Sequence, residues 1–209
     1  MLTRESILDR LADFEPGAEP RSNVDAENAP PPGAERNPWI TGDGTLKPAA
    51  VLVPLVAREN GMTVLLTRRT SHLNNHAGQI SFPGGRVDDN DRDAEHTALR
   101  ETEEEIGLDS RQIDIVGRLE DYIVGTGYLV SPIVGMIEPP FDLDPHDHEV
   151  AEVFEAPLDY VLDPDNFERH SRQYEGSERF YFAVTWGDYY IWGATAGMLR
   201  NLSSIIWSG

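Results

Sequence analysis

The sequence has no cysteine and few basic residues, and both shortages exclude classes of protein. Without cysteine, the chain has neither a disulfide nor a thiolate metal site. Of its 209 residues, only 17 are lysine or arginine, against 37 aspartates and glutamates, so the formal net charge is −20. Such a charge repels nucleic acid backbones and anionic membranes unless a local patch reverses its sign. We therefore expect neither nucleic acid nor a membrane as a partner.

Long hydrophobic runs are also missing. No stretch of about 18 apolar residues occurs, which argues against a membrane-spanning helix. The first residues, MLTRESILDRLADFE, are acidic and amphipathic, and they lack the basic start and apolar core of a signal peptide. We therefore expect a soluble, cytoplasmic protein.

The 39% hydrophobic content suits one globular domain with tails. Apolar residues of segment 1–15 fall on one helical face, which predicts a short N-terminal helix. Segment 16–37 is rich in proline, glycine and alanine, which is typical of a linker or extended arm. The compact domain is expected over residues 38–209.

Inside that domain, hydrophobic patterns predict more strands than helices. Asn60-Gly61 and Gly187-Asp188 are turn signals that predict two β-hairpins. Two helices flank the strands, so the expected fold class is α/β, with a mixed sheet between helices. The segment 78–85 is predicted as a short strand that runs into a glycine-rich turn. The other predicted strands are 49–57, 62–69, 112–120, 129–137, 178–186 and 188–193, and the predicted helices are 94–106 and 195–206.

The helix 94–106 carries an unusual concentration of carboxylates. Glu101 and Glu105 are four residues apart, so they lie about 40° apart around the axis and about 6 Å apart along it. Glu104 lies about 60° to the other side of Glu101, whereas Glu103 points elsewhere. Oxygen ligands in this arrangement suit a hard divalent cation.

A solvated acidic helix face is the alternative interpretation, because charge runs usually are that. Two features argue against it. The carboxylates lie at the C-terminal end of the helix, where the macrodipole disfavours negative charge. The upstream FPGG segment, residues 82–85, contains glycines that let backbone carbonyls approach a ligand. Arg100 can pair with Glu103 or Glu104, and so hold one glutamate in place.

Residues 100–108, RETEEEIGL, resemble the core of the Nudix box, R-E-U-x-E-E-x-G-U, in which U is apolar or threonine. The resemblance implies a Nudix-type α/β/α sandwich and a site for Mg²⁺ or Mn²⁺. It assigns the metal to Glu101 and Glu105, with Glu104 sharing a metal or positioning water, Arg100 orienting a glutamate, and the Gly85 carbonyl as a further ligand. The common box begins G-x5-E, but here Asp91 stands in place of glutamate and is followed by one extra residue. We expect Asp91 to belong to the N-cap region of the helix.

A second segment resembles one subfamily of these enzymes in particular. LLTRRTSHLNNHAGQISFPGG, residues 65–85, resembles the signature upstream of the box in coenzyme A pyrophosphohydrolases, and similarity to that family extends from about 50 to 202. Arginine forks suit phosphate oxygens, although one of these arginines could instead pair with a carboxylate. The residues expected to bind substrate are Arg68, Arg69, His76, Gln79 and Arg86.

Two acidic residues follow the loop DLDPHDHE. Nudix enzymes often draw another carboxylate from such a late segment, so Glu149 or Glu152 could be the general base or an outer metal ligand. A solvated loop is an equally good interpretation. His146 and His148 have a strand-like metal spacing, but their loop context makes them weak candidates.

The resemblance implies a metal-dependent enzyme that acts on a small molecule. It would hydrolyse the diphosphate of coenzyme A or its thioesters to 3′,5′-ADP and 4′-phosphopantetheine or its acyl derivative. One alternative is a Nudix pyrophosphatase for ADP-ribose or another nucleoside diphosphate derivative. Another is a non-catalytic Nudix-fold sensor that binds a nucleotide. A homodimer is possible.

Overall fold

The computed structural model describes residues 2–22, 45–71, 78–174 and 177–207. Within them lie four α-helices and twelve strands. The helices are α1 (Arg4–Ala12), α2 (Ala94–Ile106), α3 (Leu158–Val161) and α4 (Ala194–Trp207). The strands are β1 (Arg21–Ser22), β2 (Lys47–Arg58), β3 (Gly61–Arg69), β4 (Ile80–Ser81), β5 (Gly84–Arg86), β6 (Ile113–Arg118), β7 (Tyr122–Val124), β8 (Tyr128–Ile137), β9 (Val150–Pro157), β10 (Glu168–Tyr174), β11 (Ser177–Trp186) and β12 (Tyr189–Trp192).

Strand β2 is the central element of the main sheet. Its side chains alternate between two hydrophobic clusters, with Val53 and Leu55 in one and Leu52 and Val56 in the other. All four are buried, because both faces of the sheet are covered. A strand buried on both faces has a nearly continuous hydrophobic run, and this explains the apolar sequence of β2.

The main sheet is mixed and has nine strands. Its main path runs β1-β7-β8-β2-β3-β4, while β5, β6 and β9 pair with β2, β8 and β3 respectively. The pairs β2–β8 and β1–β7 are parallel, and the other pairs are antiparallel. Strands β10, β11 and β12 form a separate antiparallel sheet.

Helices cover both faces of the main sheet. On one face α2 contributes Ala98 and Ile106 to the smaller hydrophobic cluster. On the other, α1 and α4 pack together with the second sheet, through residues such as Ile7, Phe182 and Leu202. This layering confirms the predicted α/β class, with a mixed sheet between helices.

Both predicted hairpins are present. The first pairs Arg58 with Gly61, and the second pairs Trp186 with Tyr189. Segment 78–85, predicted as a short strand running into a glycine-rich turn, contains the short strand β4, and the glycines begin a further short strand, β5. Strands β7, β9 and β10 had not been predicted, and β10, ERHSRQY, lacks any hydrophobic alternation because it lies at the edge of the second sheet.

The predicted N-terminal helix is confirmed as α1. Thr3 and Ser6 form a capping box at its start, and Ile7 and Leu11 are buried against the domain. Of the predicted arm 16–37, residues beyond Ser22 lie outside the described part of the chain, as does the predicted domain start at residue 38. No helix within the described residues is long and apolar enough to cross a membrane.

Candidate active site

Helix α2 has a defined start and a defined end. Asp93 is its N-cap, and the side chain accepts a hydrogen bond from the His96 amide at 2.8 Å. Gly107 ends the helix in the left-handed conformation, with φ 70°. The glutamates of the box therefore occupy the last two turns of a helix whose register is fixed at both ends.

The acidic loop before β9 is attached to the end of α2. The amide of Asp144 donates to the Ile106 carbonyl at 2.8 Å, and that of His146 donates to the Glu105 carbonyl at 2.9 Å. These bonds satisfy two carbonyls that a helix leaves unpaired at its C-terminus. They also bring Glu149, at the end of the loop, to the carboxylate side of the helix.

Glu105 is the most buried glutamate of α2, with its side chain 8% exposed. It accepts a hydrogen bond from the Gly84 amide at 3.2 Å, and Nη1 of Arg69 lies 3.7 Å from its Oε1. Burial raises the pKa of Glu105 to about 7, opposed by the Gly84 amide and Arg69 and assisted by the negative charges of Glu149 and Glu101. The local positive charge is therefore too small to offset the burial of this carboxylate.

Glu101 is half-buried one turn earlier. Burial raises its pKa above the ordinary value, against the opposing effect of Arg100, and the charges of Glu104 and Glu149 add to the rise. Glu104 itself is 61% exposed and does not converge with Glu105 as predicted. Helical spacing placed three carboxylates on one side, but only two of them face the protein.

Arg100 is held by an upstream aspartate. Nε and Nη2 of Arg100 donate to the two carboxylate oxygens of Asp91 at 2.9 and 2.8 Å. Asp91 also accepts hydrogen bonds from Thr97 and bonds to the His96 ring, and its side chain is 1% exposed. The Arg100 guanidinium holds the pKa of Asp91 far below its usual range. Asp91 therefore lies in the expected N-cap region, two residues before the N-cap Asp93, and its side chain anchors the arginine.

The free edge of Arg100 faces the box. Its Nη1 donates to Glu101 at 2.9 Å and to Glu104 at 3.2 Å, so the predicted pairing with Glu104 is present. Its Nη2 also donates to the Arg86 carbonyl at 3.2 Å. Arg100 thus joins the helix, the glycine-rich segment and Asp91, and it positions Glu101.

Gly85 lies directly against the Glu101 carboxylate. A Cβ at residue 85 would overlap that carboxylate group. At Gly84, which has φ 149°, a Cβ would overlap the backbone of β2. Gly84 thus permits the close approach of β5 to β2, and Gly85 brings the backbone to the Glu101 carboxylate of the box.

Gly85→Ala is expected to displace Glu101 without unfolding the protein, because the group in the way is the end of a flexible side chain. Turnover should fall about 10- to 100-fold, as when the support of a metal ligand is removed. Thermal unfolding and steady-state kinetics measure the two effects. Gly17→Ala is the control, since no atom lies within 4 Å of a Cβ there. Unchanged turnover by Gly85→Ala would contradict this role for the glycine.

The two late glutamates have different surroundings. Glu149 is the one whose charge acts on both Glu101 and Glu105. Glu152 accepts a hydrogen bond from the Tyr189 hydroxyl at 2.7 Å and pairs with Arg68 at 3.2 Å. The structure therefore associates Glu149, rather than Glu152, with the carboxylates of α2.

The residues expected to bind substrate are also separated. Arg69 lies beside Glu105, and it lines with Gln79 a cavity of about 400 Å³. Arg68 is paired with Glu152 and lies over the Tyr189 ring, at 5.0 Å from its centroid. Arg86 is exposed and presents its carbonyl to Arg100, and His76 lies outside the described residues. Sequence reasoning did not select Tyr189 or Asp91, whose partners come from distant or irregular segments.

Residues 46–180 match the NUDIX domain family, and the chain belongs to that family. "Uncharacterized Nudix hydrolase NudL" of Yersinia pestis (strain Pestoides F) is 38% identical over 159 residues, which cover 76% of this chain and 79% of the relative. The relative of that name from Yersinia pseudotuberculosis serotype O:1b (strain IP 31758) has the same identity and coverage. The solved Ap4A hydrolase binary complex of C. elegans is 24% identical, with a TM-score of 0.46, over 53% of this chain and 80% of that one. The chain is therefore a Nudix hydrolase, an enzyme of a family that acts on small molecules with divalent metal ions.

The residues of the box fit such a cation chemically. Glu101 and Glu105 offer hard oxygen donors. Their pKa values are raised because the nearby arginines do not fully offset the cost of burying the two negative charges. Gly85 allows a backbone oxygen close to the same place. In the described part of the chain no three acidic or histidine side chains already converge on one point, because Arg100 holds Glu101 and Glu104 is turned outward.

Proposed function

We propose that the enzyme hydrolyses the diphosphate bond of coenzyme A or its thioesters, giving 3′,5′-ADP and 4′-phosphopantetheine or an acyl derivative. One observation carries this proposal. The segment that resembles the coenzyme A signature, 65–85, supplies Arg69, Gln79 and Gly84 to one cavity, and Gly84 is the residue whose amide binds Glu105. The segment that resembles the subfamily signature is thus joined to the box through Gly84, and this supports the proposal.

The metal ligands in this proposal are Glu101 and Glu105, with the Gly85 carbonyl as a further donor and Mg²⁺ or Mn²⁺ as the ion. The cation would neutralise phosphate charge and make water a better nucleophile. Glu104 is exposed and bound to Arg100, so it contributes to the outer part of the site. Arg100 holds Glu101 in position through its bonds to Asp91.

The chain's own residues support a hydrolytic step. Glu149 is the proposed general base, because its charge acts on both buried glutamates and its loop is attached to α2. It would take a proton from water as the water oxygen bonds to phosphorus and the bridging P–O bond breaks. Arg69 offers its guanidinium to the diphosphate oxygens. Glu152 is engaged by Arg68 and Tyr189, and its role is to hold that pair.

The test is turnover of free coenzyme A with Mg²⁺ or Mn²⁺, with products identified by mass and ADP-ribose assayed in parallel. We expect 3′,5′-ADP and phosphopantetheine from the wild type. In the same assay the turnover of Glu149→Gln should be lower by about 10²- to 10⁴-fold, the range for a general base, whereas the turnover of Glu152→Gln should fall far less. Equal losses would contradict the assignment of Glu149.

Two other outcomes would replace the proposal. If ADP-ribose is cut and coenzyme A is not, the enzyme is a Nudix pyrophosphatase for another nucleoside diphosphate derivative. Binding of either compound without turnover would indicate a nucleotide sensor. The intact Arg100-Glu101 and Glu104-Glu105 pairs argue against a sensor. A homodimer and a cytoplasmic location stay predictions from the sequence.

A further inference from the structure

The cavity beside Glu105 has a charge character opposite to that of the protein. Its lining includes Arg69 and Arg172, and none of the described residues that form it is an aspartate or glutamate. The chain as a whole has a net charge of −20. A cavity that gathers two arginines and excludes acids in such a protein is suited to an anion with more than one charged group.

Part of the cavity is built outside the family match. Its wall from Trp192 to Met198 belongs to β12 and α4, beyond the matched residues 46–180. Thr195 fixes this wall to the glycine-rich side, because its hydroxyl donates to the Ile80 carbonyl at 3.1 Å. This part of the cavity therefore lies outside the general domain match but inside the region, about 50 to 202, that resembles the coenzyme A family, and such a wall is where specificity is expected.

Arg172 reaches the cavity from the second sheet. It lies on the same face of that sheet as Trp192, with its guanidinium carbon 5.9 Å from the ring centroid. An arginine beside an indole offers a flat apolar surface for a base and a planar fork for phosphate. Arg69, in contrast, lies next to Glu105, where the diphosphate is expected. The two arginines therefore serve different parts of one ligand.

We propose that Arg172 is a specificity-determining residue that binds a phosphate monoester on the nucleotide half of the substrate, outside the diphosphate that is cut, with the base against Trp192. This inference depends on the proposed function, and in coenzyme A the group is the 3′-phosphate. A volume of about 400 Å³ falls within the usual range of ligand pockets, about 300–1,000 Å³. The remaining lining is largely apolar and includes Phe82, Val130 and Met198.

The experiment compares coenzyme A with dephospho-coenzyme A, which lacks only the 3′-phosphate. In the wild type kcat/KM should be higher for coenzyme A. Arg172→Ala should lower kcat/KM for coenzyme A about 10- to 100-fold, which is the loss expected for a charge-assisted pair. The same variant should change kcat/KM for dephospho-coenzyme A by less than about 3-fold. Arg172→Lys should recover part of the preference. Arg169→Ala is the matched control, because Arg169 is on the same strand but its guanidinium lies over Phe180, at 4.0 Å.

Product binding gives a second measurement that does not depend on turnover. Calorimetry should show that Arg172→Ala weakens the binding of 3′,5′-ADP and leaves the binding of 5′-AMP nearly unchanged. Equal losses for both substrates, or no loss for either, would overturn the role of Arg172 while leaving the proposed function intact. If the wild type cuts neither coenzyme A nor dephospho-coenzyme A, the proposed function itself fails and this inference fails with it.

Discussion

Glu105→Gln is expected to remove most turnover and, without metal, to make the folded protein more stable. The loss of activity should be about 10²- to 10³-fold, the range for one preorganised electrostatic group. The gain in stability follows from burial, because Glu105 has a folded-state pKa of about 7, above that of an unfolded glutamate. Charging it in the folded state therefore costs free energy, and glutamine avoids this cost.

The sign of the pH dependence follows from the same pKa. In chelator, the contribution of Glu105 to wild-type stability is fully present below the unfolded pKa of about 4.3 and is lost as pH rises through about 7. At pH 8 the glutamine variant should be more stable, by at most on the order of 4 kcal/mol, since each pKa unit corresponds to about 1.4 kcal/mol.

Denaturant unfolding at pH 5 and pH 8, with chelator and with Mg²⁺ or Mn²⁺, measures the effect. Added metal should stabilise the wild type more than Glu105→Gln, because binding to the native state adds to its stability. Glu103→Gln is the control, since Glu103 is an exposed glutamate on the same helix. Full activity and an unchanged response to metal in Glu105→Gln would refute the assignment of this ligand.

Asp91→Asn is expected to be the most destabilising conservative change near the site. Removing one member of a buried ion pair costs about 3–5 kcal/mol, and the loss here should lie near the lower end because Arg100 keeps Glu101 and Glu104 as partners. Asp91 is almost completely buried, and Arg100 loses two charge-assisted hydrogen bonds in the variant. Turnover should fall with stability, because Arg100 no longer holds Glu101 in position.

The pH dependence has the opposite sign to that of Glu105. The pKa of Asp91 is lowered on folding, so its stabilising effect is present above the unfolded pKa of about 3.9 and is lost as pH falls below that value. Acid unfolding of the wild type and of Asp91→Asn should therefore converge. Asp109→Asn, which removes an exposed pair with Arg111, should change stability little. A variant at residue 91 with wild-type stability at pH 7 would show that the anchor is dispensable.

The parts of the molecule that could be predicted from sequence are those whose determinants are local. The box helix, its glutamate spacing and both hairpins depend on residues within a few positions of one another. Burial was the quantity that spacing could not supply. Glu104 and Glu105 are neighbours in the chain, yet one is exposed and the other buried, because the sheet and Gly84 cover only one side of α2.

The missed features depend on contacts that sequence patterns do not encode. Asp91 precedes its arginine by nine residues, and their contact requires a loop with no periodic pattern. Arg172 lies on a polar strand that joins the site only through the second sheet. Arg68 and Glu152 form an ion pair because β3 and β9 are in register, and β9 had not been predicted.

The hydrogen bond from Thr195 to the Ile80 carbonyl joins a late segment of the chain to an early one, and this bears on when the cavity is completed during synthesis. The box helix has been synthesised once residue 106 is made, but part of the cavity wall comes from residues 192–198. A nascent chain therefore carries its carboxylates long before this cavity is complete. Hydrolysis that depends on this cavity begins only after β12 and α4 have folded onto the rest of the domain.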